Sequence, residues 1–269
     1  MTRRSFQGAT VIVSGAAGGL GRALAESFAR AGSRVVLLDR DAAAVVAAGS
    51  EMERAGHDVL ALPCDVTDPA ACESALTLAV VRFGRIDVVI NNAGITHRSA
   101  FAATRTDVLR RVMEVNLFGA INLTRAALPS LQSTRGLVIA ISSVAGFTPL
   151  IARTGYAASK HALHGFFESL RTEVAPDGIG VMLACPSFIA TGIEQHALGP
   201  TGGSADHPQV VVGTRLQPDA VADRIRAGAE RNRRLLLIGA TAHAAWWVSR
   251  LAPALYERIM ARRLRDEMR

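Results

Sequence analysis

The sequence predicts an α/β protein built on a single doubly wound parallel sheet of about seven strands with helices on both faces, followed by a C-terminal helical extension. Three observations predict it. Short apolar runs rich in Val, Ile and Leu alternate with stretches of helical spacing, and strands buried on both faces read as such unbroken runs. The first run passes directly into a glycine-rich turn and then a helix. After the fifth run, Tyr156 and Lys160 stand four residues apart where a new helix opens, which puts both side chains on one face of it.

The first strand is Ala9 to Val13, and Ser14-Gly15-Ala16-Ala17-Gly18-Gly19-Leu20-Gly21 follows it before helical spacing resumes over Arg22 to Ala31. Glycines at 15, 19 and 21 permit a tight turn and let backbone amides approach a pyrophosphate at the positive end of the helix. A second strand, Arg34 to Leu38, ends on Asp39, about 20 residues past the loop, where a carboxylate can bind both ribose hydroxyls of an adenosine. Arg40 beside it offers a guanidinium that would instead accept a 2′-phosphate. A helix over Ala42 to Ala55 leads to a strand at His57 to Pro63 and then to Cys64-Asp65-Val66. The next helix spans about Pro69 to Phe83, and the strand Ile86 to Ile90 runs into Asn91-Asn92-Ala93-Gly94. Parallel strands joined by right-handed crossovers place the ligand crevice at their carboxyl ends.

A long helix is expected from about Thr106 to Leu131, with Asn116 inside it among apolar neighbours, a poor helix former in an unusual place. The fifth strand, Leu137 to Ile141, delivers Ser142 and Ser143 to the same edge, and the helix from Tyr156 to about Val174 follows. The sixth strand, Ile179 to Ala184, ends in Cys185-Pro186-Ser187-Phe188-Ile189-Ala190-Thr191. From about residue 193 to 216 the composition turns to Gly, Pro, His and Ser without periodicity, which reads as a flap over the pocket. A helix over Pro218 to Arg231 and a strand at Leu235 to Ile238 complete residues 1–239, expected as one catalytic domain.

Length and composition agree with a single core: 269 residues, 49% of them hydrophobic and 20% charged. The start of the chain, a short basic lead running into a strand, does not look like a signal peptide. Cys64, Cys72 and Cys185 show neither paired nor metal-ligand spacing, and the histidines do not cluster, so no metal and a reducing, cytoplasmic setting are expected. The net charge of +7 is concentrated in the tail, where 11 arginines face 4 acids from Arg224 onward, and a neutral body argues against a nucleic-acid partner.

Lys160 is the only lysine and Tyr156 one of two tyrosines. A nearby ammonium favours a phenolate and is expected to pull the Tyr156 pKa down from about 10, making the phenol a usable acid or base.

With these pieces in place, the chain resembles the short-chain dehydrogenase/reductase family over about Ala9 to Gly239. The family's T-G-x-x-x-G-x-G loop looks like Ser14 to Gly21, its N-N-A-G is present as Asn91 to Gly94, and its Y-x-x-x-K as Tyr156 and Lys160. The catalytic serine of the family lies thirteen residues before the tyrosine, which selects Ser143 over Ser142. The resemblance implies a Rossmann-type fold and a homo-oligomer. It implies hydride transfer between a nicotinamide and a ketone or secondary alcohol, with Asn116, Ser143, Tyr156 and Lys160 catalytic. The cofactor would lie against Gly15, Gly19, Leu20, Gly21, Asp39, Arg40, Asp65, Val66, Asn92, Ala93, Gly94, Tyr156, Lys160, Pro186, Ile189 and Thr191. Asp39 favours NAD(H) over NADP(H). The family usually has Pro-Gly after the sixth strand where this chain has Pro186-Ser187. The segment after Tyr156 is also similar to the branch acting on steroids, retinoids and other lipid carbonyls, so an apolar substrate is expected. The alternative is a catalytically silent dinucleotide sensor on the same fold.

The extension, residues 240–269, contains Trp246-Trp247 and then Pro253, which divides it into two short helices. Three roles are open to it: packing on its own domain or a partner, a lid over an apolar substrate, or a peripheral contact with a membrane surface.

Overall fold

The structure, a computed structural model, describes residues 3–193, 196–205 and 213–263. In chain order the strands and helices are β1 (Thr10–Ser14), α1 (Gly19–Arg30), β2 (Arg34–Asp39), α2 (Ala42–Arg54), β3 (Val59–Pro63), α3 (Pro69–Phe83), β4 (Val88–Asn91), α4 (Thr106–Met113), α5 (Gly119–Thr134), β5 (Leu137–Ile141), α6 (Thr154–Glu173), β6 (Gly180–Pro186), α7 (Pro218–Glu230), β7 (Leu235–Ile238), α8 (Ala240–Leu251) and α9 (Pro253–Arg263). The seven strands form one parallel sheet in the order β3-β2-β1-β4-β5-β6-β7. The order reverses between β1 and β4, so the loops after these two strands part to opposite faces and open a crevice at their carboxyl ends.

Each face of the sheet carries its own core. On one side Leu24 and Phe28 of α1, Val45 and Met52 of α2, and Val221 and Ile225 of α7 pack on alternate residues of the central strands. On the other, Leu76 and Phe83 of α3, Leu123 and Leu131 of α5, and Leu163 and Phe167 of α6 cover the intervening ones. Strands shielded on both sides have no solvent face, which is why β1, β4 and β5 read as unbroken apolar runs. Local signals set the helix ends: Asp41 and Asp68 accept from Ala44 N at 3.0 Å and Ala70 N at 2.9 Å, and Gly84 ends α3 at φ 81°.

The expected helix from Thr106 to Leu131 is interrupted. Glu114 to Phe118 form a π-helical turn between α4 and α5, and such a turn re-aims the side chains it carries. Its buried residue is Asn116. In the expected flap, Leu198 bridges to His97 and Ser204, and Ile189 bridges to Leu216, so this segment is pinned by pairings that no periodicity announces. Its residues 194, 195 and 206–212 lie outside the described residues. Pro253 opens α9 and separates it from α8 as the sequence predicts.

Candidate active site

At Gly15, Gly19 and Gly21 the glycine loop is held by close contacts that leave no room for a side chain. Gly15 and Gly19 have φ of 64° and 55°, conformations that other residues rarely adopt. A Cβ on Gly21 would overlap the Gly15 carbonyl oxygen. The loop is stitched to the turn after β4: Asn92 Nδ2 donates to the carbonyls of Ser14 at 2.9 Å and Gly15 at 3.1 Å, while Ser14 Oγ accepts from Asn92 N at 3.0 Å and Ala93 N at 3.1 Å. Gly18 stands at the N-cap of α1 and offers no side-chain cap, so the first amides of that helix remain as donors beside the cleft.

This loop forms one end of a cleft of about 680 Å³. Every residue expected to touch a dinucleotide lines it, from Gly15, Gly19, Leu20 and Gly21 through Asp39, Arg40, Asp65, Val66, Asn92, Ala93 and Gly94 to Pro186, Ile189 and Thr191. Asp39, at the tip of β2, accepts from Ala17 N at 3.1 Å and Asp41 N at 3.1 Å, which fixes its carboxylate at the loop. Asp65 accepts from Thr67 N at 2.9 Å. Thr191 lies over Gly19, whose Cβ would stand 3.0 Å from the Thr191 carbonyl oxygen. Ser187, in place of the family's glycine, is accommodated from the other side. Gly239, at φ 98°, leaves the space that a Cβ would contest with Ser187 Oγ, and Ser187 N donates to the Ile238 carbonyl at 3.0 Å.

At the middle of the cleft the edge after β5 meets the first turns of α6. The two serines diverge as alternation along a strand requires. Ser142 Oγ turns inward and pairs with His164 Nε2 at 3.0 Å, whereas Ser143 caps the following turn at Ala145 N, 3.2 Å away, and its hydroxyl faces the Tyr156 phenol. Lys160 is buried, and its Nζ donates to the Ile141 carbonyl at 2.8 Å and stands 5.7 Å from the centre of the Tyr156 ring. Burial lowers its pKa to about 8.

The expectation that Lys160 pulls down the Tyr156 pKa is not met in this arrangement. Burial of the phenol dominates and raises its pKa, and what opposes the rise is the Ser143 hydroxyl and the charge of Arg153, three residues before it. Lys160 instead spends a hydrogen on the strand carbonyl. Asn116 stands behind the wall rather than in it: its Oδ1 accepts from Ile95 N at 2.8 Å, and its Nδ2 donates to Ile95 O at 3.0 Å and Ser159 Oγ at 2.9 Å. It thereby ties the segment following Gly94 to the residue before Lys160.

The far end of the cleft is lined by residues that sequence reasoning did not single out: Arg98, Thr148, Leu150, Arg153, Tyr256 and Met260. Tyr256 and Met260 pack with Val144, Phe147, Leu150 and Val248, so α8 and α9 lie on the body of the protein and complete the wall. Trp246 stacks edge-on against Phe147 with centroids 4.9 Å apart, and the Arg250 guanidinium lies 3.2 Å over the Trp246 ring. Of the three roles open to the tail, packing on its own domain is the one this arrangement displays. A rare tyrosine at 256 was the one signal for this wall. Among the described residues no cluster of His, Cys, Asp and Glu could hold a metal ion, and no helix is long and apolar enough to cross a membrane.

The comparisons with known proteins agree with this geometry. A dehydrogenase/reductase SDR family member 7B from Bos taurus is 38% identical over 273 residues, covering 98% of this chain and 84% of its own. A short-chain dehydrogenase/reductase from Burkholderia phymatum, solved in complex with NAD, superposes with a TM-score of 0.85 at 24% identity over 94% of this chain and 96% of its own. An alcohol dehydrogenase from the archaeon Thermococcus sibiricus, complexed with 5-hydroxy-NADP, gives a TM-score of 0.74 at 24% identity over 86% of this chain and 95% of its own. The short chain dehydrogenase family matches residues 9–199, and this chain belongs to that family.

Proposed function

We propose that the protein is a nicotinamide-dependent oxidoreductase that interconverts a ketone and a secondary alcohol, with an apolar part of the substrate lying along α8 and α9. The observation that carries the reading is the convergence of Tyr156, Ser143 and Lys160 on one cleft whose other end is the glycine loop. The residues present suit such a cofactor. The loop offers backbone amides at Gly18 and Gly19, which carry no side chain, where a pyrophosphate would rest, and Asp39 sets a carboxylate where a ribose would follow. When bound, the nicotinamide supplies or accepts the hydride.

In the reducing direction Tyr156 Oη gives its proton to the substrate oxygen, and Ser143 Oγ donates a hydrogen bond to that oxygen as charge develops on it. The positive charge of Arg153 favours the phenolate left behind. Lys160 would hold the nicotinamide ribose, and Asn116 is a positioning residue that fixes the helix turn carrying Lys160. Asp39 supports NAD(H), because its carboxylate would repel a 2′-phosphate. Tighter binding of NADPH than NADH in parallel titrations refutes that preference.

The chemistry is tested by Tyr156→Phe, which keeps the ring and removes the transferable proton. Turnover of ketones, followed by cofactor fluorescence, is expected to fall about 1,000-fold while NADH still binds. Turnover near that of the parent would refute the mechanism.

A second reading concerns the outer face of α8 and α9, where Trp247, Leu251 and Leu255 are exposed beside Arg250, Arg258 and Arg262. This face suits a peripheral contact with an anionic lipid surface. Co-sedimentation with anionic vesicles at low salt checks it, and protein that stays in the supernatant refutes it.

A further inference from the structure

Behind the wall of the cleft lies a polar cluster that hydride transfer does not itself use. Its centre is His164 of α6, largely buried, with Nε2 standing 3.0 Å from Ser142 Oγ and 3.5 Å from Cys185 Sγ. Ser142 directly follows β5 and Cys185 lies in β6, so one imidazole nitrogen joins α6 to the ends of two strands. One turn earlier on α6, Lys160 Nζ donates to the Ile141 carbonyl at 2.8 Å. Side chains one helix turn apart therefore hold two consecutive residues at the end of β5, and the next residue in the chain is Ser143.

Two further observations show that the Ser142–His164 pair is fixed in place. Gly146 is not among the glycines with positive φ, yet a Cβ on it would overlap Ser142 Oγ and stand 2.8 Å from His164 Nε2. Crowding by the pair, and not the backbone conformation, is what excludes a side chain at 146. The ring is also held from its other sides: Phe147 meets it edge-on with centroids 6.3 Å apart, and Glu168 Oε1 stands 3.8 Å from Nδ1. Burial lowers the His164 pKa to about 4 and keeps the imidazole neutral. A neutral ring has one accepting nitrogen, and the hydroxyl and the thiol beside Nε2 can both donate to it.

We propose that His164 is a positioning residue for Ser143: by fixing Ser142 to α6 it sets the aim of the Ser143 hydroxyl relative to Tyr156, which α6 also carries. The role rests on the hydride-transfer reading above. In that reading Ser143 and Tyr156 must meet one substrate oxygen, and they come from separate elements of the fold. A misplacement of about 1 Å between such groups costs up to about 100-fold in rate. His164 does not line the cleft, so its influence on the chemistry passes through Ser142.

Steady-state reduction of 2-octanone with NADH, together with NADH binding followed by fluorescence, tests the proposal on the whole protein. His164→Leu and Ser142→Ala should each lower kcat about tenfold and leave the ketone KM and NADH binding within about twofold of the parent. The double variant should lose no more than about twofold beyond the larger single loss, because both changes break one bond. A Gln side chain places its amide where Nε2 stands, whereas Asn reaches only as far as Nδ1. His164→Gln should therefore recover kcat to within about threefold of the parent, while His164→Asn stays near the Leu variant. A loss of packing alone would move KM, NADH binding or stability and would not separate Gln from Asn. The role is overturned if His164→Leu keeps kcat within about twofold of the parent, if the single losses multiply in the double variant, or if Gln and Asn behave alike. Should His164→Leu lose its circular dichroism spectrum, Ser142→Ala and the Gln and Asn variants decide. Tyr156→Phe is measured alongside. Its collapse beside a parent-like His164→Leu sinks the positioning role alone. Parent-like turnover in Tyr156→Phe, or none in the parent, sinks the hydride-transfer reading and the role with it.

Discussion

The two ends of the cleft are built by opposite means. At the nucleotide end the wall is backbone: Gly15 to Gly21 and Asn91 to Gly94, two short stretches joined by the Ser14 and Asn92 hydrogen bonds and kept close by the missing side chains of Gly15 and Gly21. At the substrate end the wall is side chain, drawn from the Arg98 loop, the Leu150 to Arg153 turn, the flap at His196 and Ala197 and the tail at Tyr256 and Met260. In the proposed reading the first end would meet the pyrophosphate of a dinucleotide with backbone amides, groups every residue carries, and its ribose with the Asp39 carboxylate. The second must distinguish one substrate from others, which only differing side chains can do.

The contrast can be broken or sharpened by substitutions that touch one end at a time. The largest effect is expected from Gly21→Ala, which forces a methyl group onto the Gly15 carbonyl oxygen. A loss of about 2 kcal/mol in urea unfolding is expected from the overpacking. NADH affinity should drop at least about tenfold, since the amides of the loop can no longer keep their spacing. Retention of both would show that the loop is more yielding than its contacts imply.

Next is a chain ended after Leu251, which removes Tyr256 and Met260 from the substrate wall and nothing from the nucleotide wall. Affinity for 1-octanol should fall about tenfold, the equivalent of roughly half a buried apolar side chain, while NADH binding stays level. A parallel loss of NADH binding would mean that the two ends are not separable.

The smallest effect is a slope. His97 is kept neutral by burial and by the Arg153 charge, with its pKa lowered from 6.5 to about 4, and it must be neutral for Nε2 to accept from Gly155 N. Between about pH 6.5 and 4 the unfolded chain binds a proton that the folded chain refuses, so stability is fully present above 6.5 and lost as the pH falls through that window. His164, likewise lowered to about 4, adds a change of the same sign. Unfolding midpoints followed across this range should fall, and His97→Gln should make the fall shallower without abolishing it. An unchanged slope in that variant would show that His97 does not hold the two substrate-side loops together.

The nucleotide end was legible because its causes are local. Alternating apolar runs announce strands shielded on both faces, glycines announce a backbone that must bend or approach closely, and a four-residue spacing places Tyr156 and Lys160 on one helix face. These relations hold between neighbours in the chain, and the sequence by itself determined the sheet, the glycine loop and the position of the tyrosine. Tertiary structure decided the rest. It inserted a π turn that sends Asn116 to Ile95 and Ser159 instead of into the cleft, and it engaged Lys160 with the Ile141 carbonyl. It also made burial the leading influence on Tyr156 and tied the His97 to Ser99 segment to Ala152 and Gly155. Each of these depends on desolvation or on a contact between segments remote in sequence. Neither is encoded in the spacing of adjacent residues, because both arise only when the chain has closed around them.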